Sequence, residues 1–220
     1  MRLNVIRRVA RKELTLFFAS PVGYLFVLAF LGVTLFVFFW GEAFFARNVA
    51  DVRPMFEWMP VLLIFLSAAL TMRMWSEERR TGTLEFVSTL PVSGWEFVLG
   101  KFLACWSLLA LALLLTLPLP ITVSLIADLD WGPVLAGYLA AGLLGGAYLS
   151  IGLFVSARTD SQIVSLIVAS FACTVFFLIG SPVLTDLVGG RLADGLRALG
   201  SGSRFESITR GVLDVRDLYY

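Results

Sequence analysis

The sequence predicts an all-α integral membrane protein with five transmembrane helices. Two observations carry this. Of the 220 residues, 59% are hydrophobic and 15% are charged, and the mean hydropathy is +0.89. Soluble domains carry about 45–50% apolar and about 25% charged residues, so a soluble fold has too little polar surface to cover this surplus. The apolar residues also fall into long uncharged runs, and a hydrocarbon core about 30 Å thick needs about 20 such residues per helix.

Residues 1–20 form the first element. Val5, Ile6, Val9, Leu14, Leu16 and Phe17 make one apolar side of a helix, and Arg2, Arg7, Arg8, Arg11 and Lys12 lie near the headgroups, an arrangement suited to an anionic lipid surface. The same charges also serve topology. The segment is expected to be retained and not removed as a signal peptide, because the apolar run after it is longer than usual, lacks a convincing small-residue cleavage site and is followed by more spans.

The spans follow at residues 22–40, 55–75, 102–127, 131–157 and 161–185. The second has Glu57 and Arg73 near its ends, where long side chains reach the headgroups. Trp40, Trp58, Trp75, Trp106 and Trp131 lie near proposed ends, as interfacial aromatics do. Pro60 is expected to bend the second span, and Pro118 and Pro120 the third, by removing backbone donors.

Lys and Arg gather in the short cytoplasmic loops. The N-terminal segment, the loop with Arg73, Arg79, Arg80 and Lys101, and the turn at Arg158 are the basic ones, so the N-terminus is expected inside. The stretch 186–220 then lies outside, with Leu187, Leu192, Leu196 and Leu199 at helical spacing as an amphipathic tail. Tyr219 and Tyr220 resemble the entry of a further helix into the bilayer, and a sixth span is expected in the complete subunit. No solenoid repeat or low-complexity linker divides the chain, which reads as one membrane domain over residues 1–220.

Histidine is absent, which excludes Ser-His-Asp and Cys-His catalysis and removes the commonest nitrogen ligand for zinc or haem. Cys105 and Cys173 sit in apolar runs and read as small hydrophobes, not a disulfide. A net charge of +1 implies no acidic polymer, and no nucleic-acid signature is present. An ion-driven transporter usually carries an ionisable group at mid-membrane, and the uncharged runs offer none.

The most unusual stretch is Ser76-Glu77-Glu78-Arg79-Arg80-Thr81-Gly82-Thr83-Leu84-Glu85, continued by Phe86 to Leu90, Pro91-Val92-Ser93 and Gly100-Lys101. It describes a short helix between two turns. Gly82 permits a positive φ, Thr83 is a capping residue, Pro91 stops the run, and Ser93 and Glu96 have capping-box spacing. The plain alternative is a solvated loop with an interfacial helix. A P-loop is excluded over residues 94–101, since the spacing is one residue too long and Phe102 replaces Ser or Thr. In the fourth span Gly142, Gly146 and Ser150 form a small-residue ladder for close helix packing, within the subunit or across a dimer.

This loop resembles the first cytoplasmic loop of ABC-2-type transporter permeases, in particular the gliding-motility-associated and copper-enzyme-maturation permeases. Arg11-Lys12-Glu13-Leu14, Phe17 to Pro21 and the tail from Arg204 to Asp214 are also similar to that group. The resemblance implies six helices per subunit, a homo- or heterodimer, and a coupling helix seated in a groove of a separate ABC ATPase. The implied helix maps onto residues 83–90. Glu77, Glu78, Arg79 and Glu85 are then polar contacts, Leu84 and Phe86 apolar ones, with Gly82 and Thr83 shaping the loop. ATP and Mg²⁺ would be bound by the partner ATPase, with no cofactor in this chain, which would be a non-catalytic multi-pass subunit of the bacterial inner membrane. A non-transporting, force-transmitting or assembly subunit is the alternative; an intramembrane enzyme has no nucleophile-base pair or ligand cluster to support it.

Overall fold

The computed structural model describes residues 3–42, 51–83, 85, 93–126, 128–179, 200, 202 and 205. Every regular element among them is helical. Helix α1 is Leu3–Ala19, and α2, Pro21–Phe36, runs on into a π-helical turn at Val37–Gly41. Then come α3 at Arg53–Thr71, α4 at Ser76–Arg80, α5 at Gly94–Thr116, α6 at Pro118–Ile126, α7 at Trp131–Ser156 and α8 at Gln162–Ile179. Among the described residues, five stretches are long and apolar enough to cross a membrane: Gly23–Gly41, Arg53–Arg80, Gly94–Ile126, Trp131–Ser156 and Gln162–Ile179.

The first, second and fourth of these fall close to the sequence-predicted spans. The third does not, because α5 begins at Gly94. Ser93 and Glu96 form a capping box there, with the Ser93 amide donating to Glu96 Oε2 at 3.3 Å, so the helix starts in the loop and carries Lys101 inside it. Trp106 consequently lies well inside α5 and not at its end. Near its other end the span breaks at Leu117. Pro118 has no N–H to give, and the Leu117 amide turns back to Leu114 O at 3.1 Å. Thr116 Oγ1 donates to Leu113 O at 2.7 Å and sits 2.8 Å from the Tyr138 hydroxyl of α7, tying the break to its neighbour. Pro60 is accommodated inside α3.

The centre of the bundle is α3 against α7, with α5, α8 and α2 around them. The apolar stretch of α3 is 67% buried, against 22% for α2 and 17% for α8, so α3 is the most enclosed of the three and the other two lie at the margin of the bundle. Close approach depends on glycines of α7. A Cβ at Gly137 would fall 2.8 Å from the Phe56 ring, one at Gly145 2.6 Å from Leu109 Cδ1, and one at Gly152 2.2 Å from Thr71 Oγ1. The expected ladder is a different row. A Cβ on Gly142 meets nothing within 4 Å, one on Gly146 makes ordinary contact with Trp106 at 3.6 Å, and Ser150 is exposed with its hydroxyl on Gly146 O. The tight contacts within the subunit thus run along Gly137, Gly145 and Gly152.

Of the tail, Gly200, Gly202 and Phe205 are described, and all three are buried. Phe205 belongs to the main apolar core, and a Cβ at Gly202 would lie 2.9 Å from Phe177 O. At these positions the tail packs on the bundle, while Leu187, Leu192, Leu196 and Leu199 of the expected amphipathic helix lie outside the described residues. The rest of residues 186–220, and residues 180–185 of the fifth span, lie outside the described residues.

Candidate functional site: a charged node at one end of the bundle

Helix α1 explains the site's geometry. Its polar row of Arg7, Arg8, Arg11, Lys12 and Thr15 is exposed, while Ile6, Glu13 and Phe17 are buried along one stripe. That stripe lies on the first turns of α5. Gly100 makes the approach possible, since a Cβ there would sit 2.6 Å from Val9 Cβ. The apolar flanks remain outward, with Leu3 76% and Leu16 45% exposed. So the middle of the apolar side is covered by protein and its margins are left for the surroundings. Glu13 is the anomaly, a carboxylate at the centre of the apolar stripe.

Its partner is Lys101, which has no exposed surface at all. Lys101 Nζ lies 2.9 Å from Glu78 Oε1 and 3.4 Å from Glu13 Oε1, and donates to Met74 O at 2.6 Å. The Trp75 and Phe97 rings each present a face at 5.0 Å, and pack edge to face on one another. Lys12 reaches both carboxylates from the open side, at 3.3 Å from Glu13 and 3.6 Å from Glu78. A buried ammonium persists only when paired and hydrogen-bonded. Here the pairing comes from three elements: α1, the α3–α4 corner and α5. Glu78 Oε2 is buried with no hydrogen-bond partner among the described residues.

The corner between α3 and α4 is fixed by α7. Ser156 Oγ accepts from the Trp75 amide at 3.2 Å and donates to Met72 O at 3.3 Å, the carbonyl that Ser76 Oγ also uses. Arg73 pairs with Glu77 at 3.8 Å, lies 5.1 Å over the Phe17 ring and reaches Ser20 Oγ at 3.4 Å. Arg79 meets Asp160, in the α7–α8 turn, at 3.5 Å. After α4, Gly82 takes φ +70° with open space around it, and the Thr81 and Thr83 hydroxyls, 3.0 Å apart, turn back to Glu77 O and Glu78 O. The three loops expected on one side of the membrane therefore do meet at one end of the bundle.

The sequence-predicted loop residues separate by direction. Glu78 is turned inward and its carboxylate is engaged by Lys101, so it is an internal strut in this structure. Arg79, Gly82, Thr83 and Glu85 are exposed, and Glu77 is partly so. Leu84 and Phe86, like the rest of residues 86–92, lie outside the described residues. Trp75, expected at the interface, is turned onto Lys101. Glu13 and Lys101 were not singled out as a pair, although each breaks an apolar stripe of its own helix: Ile6, Glu13, Phe17 on α1 and Phe97, Lys101, Cys105 on α5. Among the described residues no group of three or more His, Cys, Asp or Glu is placed to hold a metal ion. Residues 94–101 are helical, so no loop is available there to cradle a phosphate.

Among the described residues, five helices long and apolar enough to cross a membrane, with polar loops gathered into one paired node, have the make-up of a polytopic helical membrane protein. The chain belongs to the ABC-2 family of transporter proteins, whose family model matches residues 29–197. No curated protein matches it individually.

Proposed function

We propose that this chain is the membrane permease subunit of an ATP-driven transporter, with the segment after α3 as the surface on which a separate ABC ATPase works. The observation that supports this best is the two-sided construction of residues 76–85. Glu78 ties the inner side to α1 and α5, and Arg79, at the exposed margin, bridges to the α7–α8 turn. Arg80, Gly82, Thr83 and Glu85 are exposed on the other side. Load placed on that outer side is delivered to several spans at once. On this reading the ATPase binds ATP and Mg²⁺, and its closure shifts the segment from Glu77 to Phe86. Met74 O, Glu78 and Ser156 pass the shift to α5, α1 and α7.

The proposal also includes a single membrane domain paired with a second permease subunit, the N-terminus and the node in the cytoplasm, residence in the bacterial inner membrane, and no catalytic role for the chain; membership of the ABC-2 family is consistent with these features. The test is co-purification with an ABC ATPase. Replacing residues 83–90 with a Gly/Ser linker should abolish it while the chain still inserts and folds. Undiminished binding after the replacement would refute the assignment.

A further inference from the structure

Between α1 and α4 lies a cleft of about 650 Å³, a volume ordinary for a small-molecule site. The geometry points to this cleft as a binding site for one anionic phospholipid, recognised by the phosphodiester charge that its headgroup leaves uncompensated. The depth is right. Arg73 closely follows the end of α3, and Lys101 directly precedes the uncharged run from Phe102, so the cleft is level with the ends of the apolar spans. Its walls are amphiphilic in the required sense. Arg8, Lys12 and Leu16 are spaced four apart on one flank of α1 and all line it, with Arg73 facing them across the Phe17 ring.

The charge balance favours one phosphate. The carboxylates in the cleft wall are Glu13, Glu77 and Glu78. Lys101 engages Glu13 and Glu78 from beneath, and Arg73 engages Glu77. With Arg8 and Lys12, four cations therefore face three carboxylates, and Arg8 has no ion pair among the described residues. The surplus of one positive charge matches a phosphodiester, and a guanidinium at the rim offers the fork geometry that phosphate accepts. The exposed Leu16 beside it suits the first carbons of an acyl chain.

The site is tested on the full chain in detergent by native mass spectrometry. The probes are 1-palmitoyl-2-oleoyl phosphatidylglycerol, the matching phosphatidylcholine, and inorganic phosphate. One phosphatidylglycerol should be retained per chain, with phosphatidylcholine weaker by about tenfold and phosphate unable to displace the lipid. Arg8→Gln should weaken phosphatidylglycerol roughly fivefold, a single partly solvated charge-assisted contact. Arg7→Gln removes the same charge from the exposed side of α1, at a residue that does not line the cleft, and should change binding less than about twofold. Equal retention of the two lipids, equal losses from the two arginine variants, or displacement by phosphate would each overturn the site.

Discussion

Lys101→Met is the sharpest perturbation of this fold, because it removes a charge and keeps nearly the same volume. In the native chain the ammonium neutralises Glu13, whose side chain is 8% exposed, and Glu78, at 13%. Breaking a buried pair leaves its partner charged and unsolvated, at a cost of about 3–5 kcal/mol. Lys12 stays within 3.6 Å of both carboxylates but is 54% exposed and screened by solvent, so it offsets only part of the loss. The expected destabilisation is about 3 kcal/mol, and for a chain of this size that lowers the unfolding midpoint by roughly 6–12 °C. The assay is thermal unfolding in detergent of Lys101→Met, Glu13→Gln and the double variant. The double variant leaves one buried carboxylate for Lys12 to satisfy, so it should be more stable than the sum of the singles by about 1–2 kcal/mol. A midpoint loss under about 2 °C for Lys101→Met, or strict additivity of the two changes, would refute the clamp.

Three further outcomes are expected from the same unfolding assay. Gly152→Ala places a methyl against the fully buried Thr71 and should cost about 1–3 kcal/mol, whereas Gly142→Ala meets open space and should be neutral or gain up to about 1 kcal/mol of helix propensity. Thr116→Val removes the 2.8 Å contact to the Tyr138 hydroxyl at the α5–α6 break and should cost about 1 kcal/mol, a loss absent from an exposed hydroxyl control, Ser124→Ala. Asp160→Asn opens the Arg79 bridge, which is 78% exposed on the acid side, so stability should change by less than about 0.5 kcal/mol. If Asp160→Asn nevertheless weakens the response of the proposed ATPase partner, the bridge transmits load and does not merely stabilise.

The spans were legible because their signal is local: a long uncharged apolar run leaves few other options in any context. The start of α5 at Gly94 was legible in the same way, through Ser93 and Glu96 three residues apart, and so was the positive φ at Gly82. The glycine ladder was not, because α7 is small and apolar on more than one side. Gly142 and Gly146 make as plausible a packing row in the sequence as Gly137, Gly145 and Gly152, and the row that packs is decided by where Phe56, Leu109 and Thr71 stand on other helices.

The charge node divides in the same manner. Glu77, Glu78, Arg79 and Lys101 read alike in the sequence, as loop charges on the basic side of the membrane, since nothing in their spacing says which points inward. Only the crossing of α1 over Gly100 brings Glu13 to Lys101, across two intervening spans, and so converts an apparent topogenic lysine into a buried clamp. Composition and short-range order were enough to establish the helical class and the five long apolar stretches among the described residues. Which charges are struts and which are exposed came only from the packed bundle, because burial is set by what other helices place on top of a side chain.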